Sequence, residues 1–224
     1  MKLALIIAAL LVSVNAMAQE NIEKTIGNFN ELKVYDLINV TLIKSDENKA
    51  VISGHQPHSV ELINKNGTLK VQMRLEEKFD GNNTKVILYF KDIDVIDVNE
   101  GAYVTSVDTF QQFKIELRAQ EGGIIRIDLD VSENKVKAVT GGEIEVSGTA
   151  VRQDISINTG GIFQGETSES EATYVAISAA GEAIINVSKL ADIKIRAGGD
   201  VYIYGNPETV NESKLFGGRI VRMD

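Results

Sequence analysis

The sequence predicts an all-β protein, a β-solenoid whose coils of about 19–20 residues turn at Gly-Gly corners. Three observations predict it. A glycine pair recurs at a nearly constant interval, apolar residues stand at fixed offsets from each pair, and no stretch after the first eighteen residues has the apolar period of a helix.

The pairs are Gly122-Gly123, Gly141-Gly142, Gly160-Gly161, Gly198-Gly199 and Gly217-Gly218, with near-matches at Gly101-Ala102 and Ala180-Gly181. Successive second members lie 21, 19, 19, 20, 18 and 19 residues apart. Six and four residues before the second member stand Ile96 and Val98, Leu117 and Ala119, Val136 and Ala138, Ile155 and Ile157, Val175 and Ile177, Ile193 and Ile195. Two residues after it come Val104, Ile125, Ile144, Phe163, Ala183, Val201 and Ile220. Four after it come Ile127, Val146, Ile185 and Ile203, with exceptions at Ser106, Gly165 and Arg222. Alternating apolar positions define strands with one buried face. Each coil therefore reads as strand, corner, strand and a looser third side, which contributes about one apolar residue per coil: Phe110, Val131, Val151, Leu190 and Val210. The polar stretch Ser168 to Glu171 departs from that pattern. Glycine suits the corner because it accepts positive φ and lets stacked backbones approach closely.

Residues 1–18 read as a signal peptide: Lys2, an apolar run from Leu3 to Val14, then Ala16-Met17-Ala18 before a cleavage site ahead of Gln19. The apolar run is too short for a membrane span. The expectation is an exported protein in the periplasm, at the outer membrane or outside the cell. With no cysteine in the chain, disulfides, thiolate metal sites and lipid attachment at a cysteine are excluded. Without Lys2, 22 basic residues face 32 acidic ones, a balance that disfavours nucleic acid and anionic lipid as partners.

Residues 19–98 are predicted to form early coils and a cap continuous with the solenoid of residues 99–224. Val40, Leu42, Val51 and Ile52 flank the turn Ser45 to Asn48 as a hairpin, and Asn66-Gly67 marks a second hairpin. Gly81-Asn82-Asn83 is a turn before the strand Val86 to Phe90.

Phe29 through Gly54, the turn-strand Asn66-Gly67-Thr68-Leu69-Lys70-Val71, and the stretch from Tyr89-Phe90 to Glu100-Gly101-Ala102 resemble the putative autotransporter adhesin, head GIN domain family. The glycine-paired coils are typical of the same family of secreted proteins. The resemblance implies a right-handed single-stranded β-helix with a superficial likeness to pectin lyases, and a role in adhesion. A non-catalytic module of the cell envelope is the leading expectation, with a glycan or an envelope or surface protein as partner and no cofactor.

Chemistry-bearing residues are sparse. Asp92 and Asp94, on one side of a strand near Asp97, form a pattern that suits a cation or a lyase-type or hydrolase-type carbohydrate enzyme, as do Asp128 and Asp130. A solvated strand face explains the same pattern. His55 and His58 flank Pro57 and would need a third ligand such as Glu61 to hold a metal; a surface turn is the simpler reading. Among aromatics, Tyr202 and Tyr204 alternate outward, with Ile184 stacked beside Tyr202, and Tyr103 follows its own corner. That outer face is the predicted binding surface, whether for a glycan or for a protein of the periplasm.

Overall fold

The computed structural model describes residues 21–223, so the predicted signal peptide lies outside the described residues. The fold is all-β, a solenoid of about seven turns. Its helical content among the described residues is two single 3-10 turns, Pro57–Ser59 and Leu75–Glu77. The strands are β1 (Ile22–Thr25), β2 (Glu31–Val34), β3 (Asn39–Lys44), β4 (Lys49–Gly54), β5 (Val60–Lys65), β6 (Thr68–Met73), β7 (Thr84–Phe90), β8 (Val95–Val98) and β9 (Tyr103–Ser106). There follow β10 (Phe110–Ala119), β11 (Ile124–Val139), β12 (Glu143–Asn158), β13 (Ile162–Ile177), β14 (Glu182–Ala197), β15 (Asp200–Tyr204), β16 (Thr209–Phe216) and β17 (Arg219–Arg222).

From β8 onward every coil pairs in parallel with the next, and the predicted interior positions stack in register. Ile96, Leu117, Val136, Ile155, Val175 and Ile193 form one column, and Val104, Ile125, Ile144, Phe163, Ala183, Val201 and Ile220 another. Removal of such a side chain from water stabilises by about 1.5–3 kcal/mol. Gly165 interrupts its column because a Cβ there would meet the ring of Phe163, which already fills that part of the interior.

The third side is tighter than the sequence suggests. β11 to β14 each run for 16 residues, joining what reads as second strand, third side and next first strand into one continuous ladder. Phe110 and Val131 are buried as expected, but Val151 is 52% exposed. Val131 pairs with Ala150, so Val151 falls on the outer parity. Ser168 and Ser170 point inward and form part of a buried polar group. Gln153 donates to Ser168 Oγ at 3.0 Å, and Ser170 and Thr173 share a hydrogen bond of 2.7 Å. Asn134, Gln153 and Thr173 stack as a column between Ile115 and Ala191.

At the corners the two glycines have different tasks. Gly122, Gly141 and Gly160 adopt positive φ, each after a residue that does the same: Glu121, Thr140 and Thr159. The second member of the pair at 142 has ordinary φ, but a Cβ there would run into the Ala119 carbonyl of the preceding coil.

The first third stacks out of chain order. β2 pairs with β8 on one edge and β6 on the other, and β3 likewise with β9 and β7. The layer β6–β7 therefore lies outside β2–β3, and antiparallel strands close its edges: β5 on β6, β4 on β7 and β1 on β4. The Asn66-Gly67 hairpin forms as predicted, with both residues at positive φ. The predicted β3–β4 hairpin does not. β7 inserts between the two strands, and buried Asn48 holds their connection aside by accepting the Lys91 N–H at 2.9 Å.

Candidate binding surfaces

Two of the solenoid's outer faces flank each corner, one before it and one after it. On the face after the corner, Ile184, Tyr202 and Val221 form a single column, with Tyr204 beside Asn186. Tyr202, Tyr204 and Ile184 are half-buried by their neighbours rather than fully exposed. Tyr103 stands in the adjacent column, coils away from Tyr202 and paired with Ile124, and the Arg126 guanidinium lies 5.7 Å from its ring. The structure thus brings Tyr202, Tyr204 and Ile184 together and leaves Tyr103 apart.

On the face before the corner lies a shallow groove of about 640 Å³. Two outward columns build it. One runs Glu116, Lys135, Asp154, Tyr174, Asp192; the other runs Arg118, Lys137, Ser156, Ala176, Lys194. Small Ser156 and Ala176 leave a low floor beside Tyr174, and the Arg152 guanidinium stacks 4.1 Å from the Tyr174 ring while pairing with Asp154 at 2.8 Å. Glu116 receives Arg118 at 2.8 Å and Lys135 at 3.1 Å. Burial alone would push the Glu116 carboxyl up, but these two cations outweigh it and hold it below the usual carboxylate range. The groove's carboxylates at 116, 154 and 192 are all ion-paired, whereas Lys137 has no ion pair among the described residues. Tyr174 escapes a sequence reading because it follows the polar stretch that breaks the coil pattern, and only strand register reveals its small neighbours.

The acidic candidates do not converge. Asp92 and Asp94 lie in the β7–β8 connection rather than on a strand, because the chain leaves the ladder after Phe90. Asp92 meets Lys44 at 3.4 Å, and Asp94 accepts from Asn30 at 3.1 Å. Asp97 is buried against Lys33 and Asn99. Asp128 and Asp130 accept hydroxyls from the next coil, Ser147 at 2.8 Å and Thr149 at 3.1 Å. His55 and His58 are exposed at the Pro57–Ser59 turn, and Glu61 follows on β5. Among the described residues no group of three or more His, Asp or Glu side chains is placed to hold a metal ion.

A third feature was invisible in the sequence. Asp36, buried and at positive φ, occupies the corner between β2 and β3. Its carboxylate accepts the Met73 N–H at 3.0 Å and the Phe79 N–H at 3.3 Å, and its carbonyl accepts the Gly81 N–H. The loop so clasped exposes Leu75 and Phe79. Lys78 in that loop pairs with Glu100 at 3.2 Å. Burial pushes the Glu100 carboxyl up and the neighbouring Asp36 adds to this, Lys78 opposing them only in part.

A family model described as putative auto-transporter adhesin, head GIN domain, matches residues 28–207. Among solved structures, a putative adhesin from Bacteroides fragilis superposes with a TM-score of 0.84 at 16% identity, over 93% of this chain and 98% of that one. A putative adhesin from Parabacteroides merdae gives 0.71 at 15% identity, over 92% and 96%. A protein from Parabacteroides distasonis described as a putative lipid binding protein gives 0.69 at 17%, over 92% and 96%. At these identities the likeness is one of fold. No curated protein matches the chain.

Proposed function

The chain belongs to the putative auto-transporter adhesin, head GIN domain family, and from that premise we propose that it is a non-catalytic adhesion module, exported to the cell envelope, which binds a glycan in the groove beside Tyr174. The observation that carries the ligand class is the Arg152–Tyr174 stack beside the low floor of Ser156 and Ala176. An aromatic ring held rigid by a guanidinium offers its edge and remaining face to the apolar side of a pyranose. Lys137, without an ion pair among the described residues and adjacent to Ser156 in register, favours a saccharide bearing carboxylates. The regular ladder supplies rigidity, so little ordering accompanies binding.

A second reading places a surface protein on the column Ile184–Tyr202–Val221, favoured by its apolar continuity up to the last coil. Binding of purified protein to a panel of neutral and uronic-acid glycans separates the two. Tyr174→Ala and Lys137→Ala are each expected to weaken uronate binding about tenfold, in line with ~1–2 kcal/mol for a stacked or charge-assisted contact. If both variants bind as the parent does while Tyr202→Ala loses binding, the groove is the wrong surface. Cell fractionation with surface protease shaving checks the location: a protein protected on intact cells would not be an adhesin.

A further inference from the structure

The last coil departs from the interior code in a self-complementary way. Where the preceding coil places Ile193 and Ile195, it places Glu212 and Lys214 in register. Charges at inward positions block the open-ended stacking that an apolar edge would invite. Among the described residues β16 pairs only with β14, so its other edge is unpaired. Val210, Glu212 and Lys214 share the inward-facing parity of that strand, and Phe216, two residues further at the corner and paired with exposed Ala197, is 69% exposed.

This order is complementary to its own reverse. An antiparallel pairing of two β16 strands centred on Ser213 sets Val210 opposite Phe216 and Glu212 opposite Lys214, each twice. Backbone parity agrees. In a parallel ladder a residue turns its N–H and C=O to one neighbour, and the next residue turns both to the other. Glu208 donates to the Ser188 carbonyl and Phe216 accepts from the Gly198 N–H, so even-numbered residues face β14. Odd-numbered residues, Ser213 at their centre, turn their backbone groups to the open edge. Other registers lose the match. Centring on Glu212 or Lys214 opposes a charge to its own copy. Centring on Asn211 sets Val210 opposite Glu212, and centring on Leu215 sets Lys214 opposite Phe216.

We propose that the β16 edge is a homodimer interface, in which two copies join end to end through an antiparallel β16–β16 pair about a two-fold axis at Ser213. Such an interface is isologous and closes on itself, so it yields a dimer rather than a fibre. It covers the exposed Phe216 and points the two N-terminal regions away from each other, presenting two binding surfaces per particle.

Light scattering on the purified protein after size exclusion, across a dilution series, tests this. The parent is expected to be a dimer that dissociates on dilution. Lys214→Glu sets acid opposite acid twice and should raise the dissociation constant by about tenfold or more, while the double swap Glu212→Lys with Lys214→Glu restores it. Ser213→Pro removes an N–H that faces the open edge without touching the β14 ladder, and should give a monomer. In this cysteine-free chain, Ser213→Cys should form a single cross-linked dimer on oxidation, since paired Cα atoms about 5.5 Å apart lie within disulfide reach. A monomer at every concentration, a dimer that Ser213→Pro leaves intact, or a mass that grows without limit would each overturn the proposal. If Lys214→Glu fails to fold by circular dichroism, the oxidised Ser213→Cys variant decides: the absence of its cross-link refutes the interface.

Discussion

The N-terminal region and the glycine-paired coils bury the same kind of core by opposite means. The coils do it by repetition: an interior residue lies between its counterparts above and below, and the same corner recurs. The N-terminal region does it once, with antiparallel strands at its edges and single polar residues, Asp36 and Asn48, holding connections that no other layer repeats. Repetition makes a rule readable and spreads its failure to neighbours. A unique clasp is unreadable, and its failure stays local.

The largest expected effect breaks the repeat at one corner. Gly142→Ala drives a Cβ into the Ala119 carbonyl of the neighbouring coil, where neither backbone can yield alone. A cost of about 3 kcal/mol follows from such overpacking. Gly141→Ala meets nothing within 4 Å and suffers only from its φ of 70°, at about 1 kcal/mol. Urea denaturation of the two variants checks the order. Equal losses would mean that close approach is not the second glycine's task.

In the N-terminal region the corresponding test is Asp36→Asn. Asparagine keeps the preference for positive φ but offers one acceptor where the carboxylate serves both Met73 and Phe79. A buried donor left unpaired costs about 1–2 kcal/mol. Amide exchange should quicken at Met73 and Phe79 and stay unchanged in β11 to β14. Uniform quickening along the chain would show that the two regions unfold as one unit.

The same contrast explains what was legible in the sequence. The columns through Leu117 and Ile125 could be read because each recurs at a fixed offset from a glycine pair. Val151 misled because an apolar residue next to small Ala150 looks like the buried one, and only register to Val131 assigns the parity. The β3–β4 hairpin misled for a different reason: a short polar connection fits two adjacent strands, and nothing local announces that β7 will come between them. The repeat alone sets Tyr202 beside Ile184, and the register agrees. The Tyr174 groove has no such signature, since its character lies in what Ser156 and Ala176 lack, and its Arg152 partner comes from the preceding coil.

The smallest effect sharpens the comparison through pH. Glu116 in the coils has its carboxyl held below the ordinary 4.5 by Arg118 and Lys135 against the opposing pull of burial. Its ionised form favours the fold, so its contribution is present above pH 4.5 and is lost as pH falls through the lower folded value. Glu100 in the corner beside Asp36 is raised above 4.5 by burial and by that neighbouring carboxylate. Its contribution is fully present below pH 4.5 and is lost as pH rises through the raised folded value. Glutamine stands in for the protonated form at both sites. Glu116→Gln should therefore destabilise at about pH 7 by about 0.5 kcal/mol, a difference that shrinks toward about pH 3, because partly exposed pairs are worth little. Glu100→Gln should be neutral or slightly stabilising at about pH 7, by a few tenths of a kcal/mol at most, with the difference gone in acid. Denaturant midpoints of both variants from acid to neutral pH measure this. Shifts of the same sign at neutral pH would show that the charge environments of the two regions do not oppose one another.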